Sequence, residues 1–305
     1  MAEAHVLQNA HWQAGILPQT GASIAFGRVR YSGNWIDLMR PANESDYGNS
    51  GACSSFIMLP WANRIRDGLL RIGDAEYQLK TTPDDGTARH GDVRHRAWQV
   101  ISIDEKHIRM AFDSRDFDDI NFPFAFSAQA EYRLEDAAFV WELSMTNTDS
   151  QPYPAGFGHH PYFVRTDKMP LIEIPTEKEF NLTGAMADAA PTDISPQSDF
   201  RQLRPLVDGV QLDNLLSERD LSKPVRIAYP LWHSELRMQA DPIFQQILIY
   251  TDTRTPSVAV EPQTNANDGF NLYQKGIEGS GVFVLNPGKT ASGTVRLSIH
   301  PYEDA

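Results

Sequence analysis

Cysteine is nearly absent: Cys53 is the single thiol in 305 residues. That excludes an intrachain disulfide and any structural zinc site built from several thiolates, and it fits a reducing compartment. No stretch approaches the ~18 continuous apolar residues of a membrane-crossing helix. The amino-terminal MAEAHVLQNAHWQAG has no basic segment followed by an apolar one, so the expected location is the cytoplasm and no membrane partner is expected. Positive charge is also scarce: 27 Lys and Arg stand against 40 Asp and Glu, a formal charge of -13. Such a chain meets nucleic acid with a repulsive average field, so no nucleic-acid partner is expected. Neither GxGxxG nor GxxxxGK[ST] occurs; GIEGSG at 276–281 has the wrong spacing and no following helix pattern. Nine histidines raise the question of a metal, but neither His90 with His95 nor His159 with His160 has helical HExxH spacing.

Alternation is the clearest signal that is present. In WELSMT, Trp141, Leu143 and Met145 fall on one face of an extended strand, with Glu142, Ser144 and Thr146 on the other. IRMAF from Ile108 and VRLSI from Val295 repeat the pattern, and WQVISI from Trp98, VRIAY from Val225, ELRMQ from Glu235 and QILIY from Gln246 read as further strands. Helical spacing rarely persists for three turns, because 20 Pro and 20 Gly interrupt the candidates. Turn residues at Ser32-Gly33-Asn34, Ile72-Gly73-Asp74 and Asn286-Pro287-Gly288 predict antiparallel pairing of consecutive strands. The reading is an all-β, antiparallel sandwich forming one domain over residues 1–305, with a loop excursion from Ala185 to Ser217. Cys53 reads as a small buried thiol, and the acidic run at Asp116, Asp118 and Asp119 as a solvated turn.

Four segments set strongly polar residues among apolar, Gly and Pro neighbours: PWANRIRDG at 60–68, RHGD at 89–92, GFGHHPYF at 156–163 and VAVEPQTNANDGFN at 258–271. A charge embedded in a strand requires either a partner or a cleft. In their order, these segments resemble the aldose 1-epimerase (mutarotase) family. The NRI segment, which runs on here as NRIRDGLLRIGDAEYQL at 63–79, is one element of that pattern. The His90-Gly91 pair, HPYF at 160–163 and EPQT at 261–264 are the others. The resemblance covers roughly residues 18 to 300 and is closer to the bacterial HPYF branch.

The resemblance implies a large supersandwich of the galactose mutarotase type and an isomerase that needs no cofactor. Its implied partner is a small sugar: the α and β anomers of a free aldohexose are interconverted by ring opening and reclosure. It assigns Glu261 as general base on the anomeric hydroxyl and His160 as general acid on the ring oxygen. Arg64, His90 and Asp213 are assigned to substrate binding, Asp213 with a turn or cap role as its alternative. The residue types suit the task, since a carboxylate can accept the O1 proton and an imidazole can deliver one near neutrality. Chemistry alone does not separate His159 from His160, although alternation admits only one to the cleft. Tyr162 and Trp61 are candidate aromatic platforms for the sugar, whereas Trp141 alternates with core residues. Other readings remain open: a hexose-6-phosphate epimerase using the doublets Arg64/Arg66 and Arg94/Arg96, a non-catalytic sugar binder, and a glycoside hydrolase pairing Glu261 with Asp213. Oligomeric state is not readable from these residues.

Overall fold

The structure is a computed structural model, and it describes residues 3–166, 169–207, 209–251 and 255–303. Two large antiparallel sheets organise it. The first has nine strands, in the spatial order Gln99–Ile103, His107–Asp113, Phe126–Glu135, Ala138–Asn147, Thr290–Pro301, Ser234–Ala240, Val225–Tyr229, Leu171–Glu173 and Arg204–Pro205. The second is built around Asp213–Arg219, Gln246–Thr251 and Ser257–Gln263, with Gly158–His159, Ile57–Met58 and Tyr162–Val164 joined at one end. A four-stranded sheet formed by residues 5–37 flanks them.

Each strand predicted from alternation is present, though Trp98 itself lies just before its strand. In Ala138–Asn147 the side chains of Trp141, Leu143 and Met145 are fully buried, and Trp141 stands opposite Tyr132 and Val295 on the neighbouring strands. From the second sheet, Ile247, Ile249, Val258 and Val260 enter the same hydrophobic cluster, which runs from Leu7 to Leu297. Burial of these facing apolar sets is what joins the sheets into a sandwich. Among the described residues there is one α-helix, Gly269–Gln274, and no helix is long and apolar enough to cross a membrane.

Two of the three expected turns close hairpins. Ser32 and Gly33 both take positive φ between Tyr31 and Asn34, and Gly73 does so between Ile72 and Ala75. The third, Asn286-Pro287-Gly288, instead passes the chain from one sheet to another, since Phe283–Leu285 pairs with Tyr153–Ala155 and Thr290–Pro301 with Ala138–Asn147. The expected excursion from Ala185 to Ser217 also needs correction, because its last residues open the strand Asp213–Arg219, paired on both sides. Leu215 and Leu216 are both fully buried there; a strand covered on both faces loses the alternation that would reveal it.

Candidate active site

A cleft of about 380 Å³ opens on the second sheet, and all five expected residues, Glu261, His160, Arg64, His90 and Asp213, line it. Glu261 lies within Ser257–Gln263, a strand whose seven residues are all buried. Alternation sends Val258 and Val260 into the main core and therefore turns Glu261 the other way, beside Leu248 of the neighbouring strand, which also lines the cleft. His160 follows the short strand Gly158–His159, and its backbone N–H donates to the Phe56 carbonyl at 3.0 Å. Its Nε2 lies 3.1 Å from Oε1 of Glu261. The second carboxylate oxygen of Glu261 is buried with no hydrogen-bond partner among the described residues.

Burial, reinforced by the nearby Asp213 carboxylate and opposed by Arg64, pushes the Glu261 carboxyl well above its ordinary range. Burial, with Arg94 foremost among the neighbouring charges, holds the His160 imidazole well below its own. Both effects favour the uncharged forms of the two groups. The adjacent His159 is inverted: its ring sits 5.2 Å from that of Trp141 in the core, so the sheet itself assigns the cleft to His160.

The NRI and HG segments are built onto each other. Arg64 pairs with Arg89 across a two-residue ladder, and the His90 N–H donates to the Asn63 carbonyl at 2.6 Å. His90 holds a left-handed φ of 62°, followed by Gly91 at φ 65°, and a Cβ on Gly91 would lie 2.0 Å from the Leu59 carbonyl oxygen. Only glycine fits this close approach. Nδ1 of His90 lies 3.0 Å from the Met58 sulfur. Burial first, with the neighbouring His160, Arg94, Arg64 and Arg89 adding to it, depresses the His90 pKa well below the ordinary value, so the ring meets a ligand as neutral imidazole.

Sequence reasoning missed the residues that hold this assembly. The Asn265 side chain accepts from the Ala62 N–H at 2.9 Å and donates to the Ala62 carbonyl at 3.0 Å, copying a strand partner. Asp268 accepts from the Arg66 N–H at 2.9 Å, and its own N–H donates to the Arg64 carbonyl. The polar run NANDGFN carried the signal, since so many amides in buried surroundings need partners. Arg40, Phe56, Asn63, Arg89, Arg94 and Tyr250 also line the cleft.

Two expectations are corrected. Trp61 is no platform: it is fully buried, packs near Phe122 and donates its indole N–H to the Ala88 carbonyl at 3.3 Å. An indole this large beside the NRI segment does more as core than as surface. The arginine doublets do not act together either. Arg64 and Arg94 line the cleft, whereas Arg66 pairs with Asp188 and Asp268, and Arg96 with Asp92 and Asp119. Residues 66–68 and 93–95 form 3₁₀ turns, so positions two apart do not share a face as they would on a strand. Tyr162 does line the cleft, Trp141 is core and Cys53 is buried, its thiol pushed up to about 11 chiefly by burial.

The site is thus a polar cleft, lined by carboxylates, imidazoles and arginines, on one sheet of a β-sandwich. The sequence profile of the family described as "Aldose 1-epimerase" matches residues 4–298, and the chain belongs to that family. It is 26% identical over 182 residues to a protein of Escherichia coli K12 named "Uncharacterized protein YphB", an alignment spanning 57% of this chain and 59% of that one. Its fold is similar to that of a galactose mutarotase-like protein from Clostridium acetobutylicum, with a TM-score of 0.85, 18% identity and coverage of 97% and 94% of the two chains. A GalM/aldose epimerase homologue from C. elegans gives a TM-score of 0.85 at 17% identity, covering 99% and 100%. At these identities the structural likeness establishes the fold.

Proposed function

We propose that this protein is an aldose 1-epimerase that interconverts the α and β anomers of an aldohexose, with Glu261 as general base and His160 as general acid. The observation that carries this reading is the 3.1 Å contact between the two side chains at the floor of a polar cleft. O1 and O5 of a pyranose are both bonded to C1, so two adjoining side chains can address them together.

Glu261 takes the proton from O1, the electron pair of the broken O1–H bond becomes the C1=O1 π bond, the C1–O5 bond breaks with its pair leaving on O5, and O5 takes the proton from His160. Rotation about C1–C2 turns the other carbonyl face to O5. His160 then removes the O5 proton, the ring closes, and Glu261 returns its proton to O1. The charge-separated form that starts this sequence carries the same number of protons as a pair of neutral carboxylic acid and neutral imidazole. Movement of one proton from Glu261 to His160 therefore prepares the site with no exchange with solvent. Arg64 supports the carboxylate form, since its charge opposes the upward push on Glu261. Neutral His90 and Asp213 provide hydrogen bonds to ring hydroxyls.

The test is anomer exchange of α-D-glucose and α-D-galactose, followed by polarimetry against a buffer blank. Acceleration by the wild type and not by Glu261→Gln supports the assignment; equal acceleration by both removes Glu261 from the mechanism.

A further inference from the structure

The chain is acidic overall, yet four arginines, Arg40, Arg64, Arg89 and Arg94, line the cleft against the two carboxylates of Glu261 and Asp213. Two of the four are engaged with acids at the rim: Arg64 with Asp85, and Arg89 with Asp84 and Asp85. Arg40 donates to the carbonyls of Gly51 and Cys53 and lies over the Tyr162 ring. Arg94 differs from all of these. Its Nε donates to His95, its guanidinium lies 4.8 Å from the centre of the Phe56 ring, and no described carboxylate pairs with it. Arg94 is half-buried, and a guanidinium partly withdrawn from water with no counter-ion is a ready partner for an anion.

Its position indicates where that anion would sit on a sugar. Phe56 stacks on His160 with ring centres 4.5 Å apart, so Arg94 is a neighbour of the general acid. Consistent with this, Arg94 is foremost among the charges that bear on His160, whereas Asp213 and Arg64 are those that bear on Glu261. In a pyranose, O5 has C1 on one side and C5, carrying C6, on the other. With O1 at Glu261 and O5 at His160, the side of His160 away from Glu261 is the C6 side.

We propose that the preferred substrate is an aldose with an anionic group on C6, a phosphate, sulfonate or carboxylate, bound by the Arg94 guanidinium. This inference rests on the epimerase reading of the same cleft. A planar guanidinium offers paired N–H donors to any of these oxyanions, which a hydroxymethyl group cannot exploit. Arg40 and Arg89 add positive field around it.

The test is anomer exchange by saturation-transfer NMR on the full chain, with glucose, glucose 6-phosphate, glucuronate and 6-deoxy-6-sulfoglucose, each against a buffer blank. At least one anionic sugar is expected to exceed glucose in kcat/KM by ~10-fold or more, the scale of a charge-assisted bond, and the arm that does so identifies the anion. Arg94→Gln is expected to lower that ratio at least ~10-fold, and Arg94→Lys, which keeps charge without the fork, to lower it less. Glucose turned over as well as or better than all three anionic sugars overturns the inference while leaving the epimerase reading intact. A folded Arg94→Gln with an unchanged ratio also overturns it. Should Arg94→Gln not fold, the wild-type ratio and Arg94→Lys decide. No acceleration of any of the four sugars overturns the epimerase reading, and the inference with it.

Discussion

His159 and His160 are consecutive, yet their imidazoles point to opposite sides of one sheet: His160 meets the Glu261 carboxylate at 3.1 Å, while His159 packs 5.2 Å from Trp141 and 6.2 Å from Phe244. The same residue type thus serves as a polar partner in a cleft and as an apolar filler in a core. The backbone pleat alone makes the difference.

The core-facing member, His159, contributes a pH dependence of stability. Neither ring nitrogen of His159 has a hydrogen-bond partner among the described residues, and burial pulls its pKa down to about 3. In the unfolded chain the ring titrates near 6.5, so between these values the unfolded state binds the extra proton. Stability is therefore present in full above pH 6.5 and falls as pH drops toward 3, with a loss of roughly 2 kcal/mol from this group between pH 7 and 5. Urea denaturation at the two pH values is expected to show His159→Phe losing less stability on acidification than the wild type, by about that amount.

Glu261→Gln keeps the shape of the side chain and removes the base. Turnover on whichever aldose is active is expected to fall at least ~100-fold, the lower end of general-base contributions, with thermal stability unchanged or raised because a buried acid has been replaced by an amide. Polarimetry together with calorimetry checks both halves.

The acid limb of the kcat/KM profile is expected to lie below pH 6.5, because burial and then Arg94 disfavour an additional proton on His160. Removing that positive charge favours the imidazolium, so Arg94→Gln is expected to move the limb to higher pH. A limb that stays in place would remove Arg94 as a cause of its position.

Asn265→Ala deletes both hydrogen bonds to Ala62 and leaves a buried N–H and carbonyl unpaired. A loss of about 2 kcal/mol in urea unfolding is expected, together with a raised KM from the loosened NRI segment. A KM equal to that of the wild type would make Asn265 purely structural.

Gly91→Ala places a Cβ 2.0 Å from the Leu59 carbonyl oxygen in a left-handed conformation. A destabilisation of more than ~1 kcal/mol is expected, since the obstacle is backbone and cannot swing aside. Activity measured well below the unfolding temperature is expected to fall too, because His90 is the preceding residue.

The strands of the large sheet were legible because alternation is a local property, as in Trp141, Leu143 and Met145. Asp213–Arg219 was not, because burial on both faces erases that period. The segments that carry Glu261, His160, Arg64 and His90 were legible as polar groups in apolar company, whereas the choice of those residues within them came from the family resemblance; the structure places all four on one cleft. Their supporting shell was only half visible: NANDGFN announced buried amides without saying that Asn265 would grip Ala62, 203 positions away.

What the sequence by itself determined is the pattern of faces: which side chains seek a core, where the chain turns, and which polar groups cannot be buried alone. What only the tertiary structure decided is which faces meet. It put Trp61 in the core, turned Arg66 and Arg96 away, and brought Arg40 and Arg94 to the mouth of a site laid down by distant strands. The physical reason is range: a pleat is set by neighbouring peptide units, whereas a cleft is set by packing between segments far apart in the chain, whose mutual burial no local period encodes.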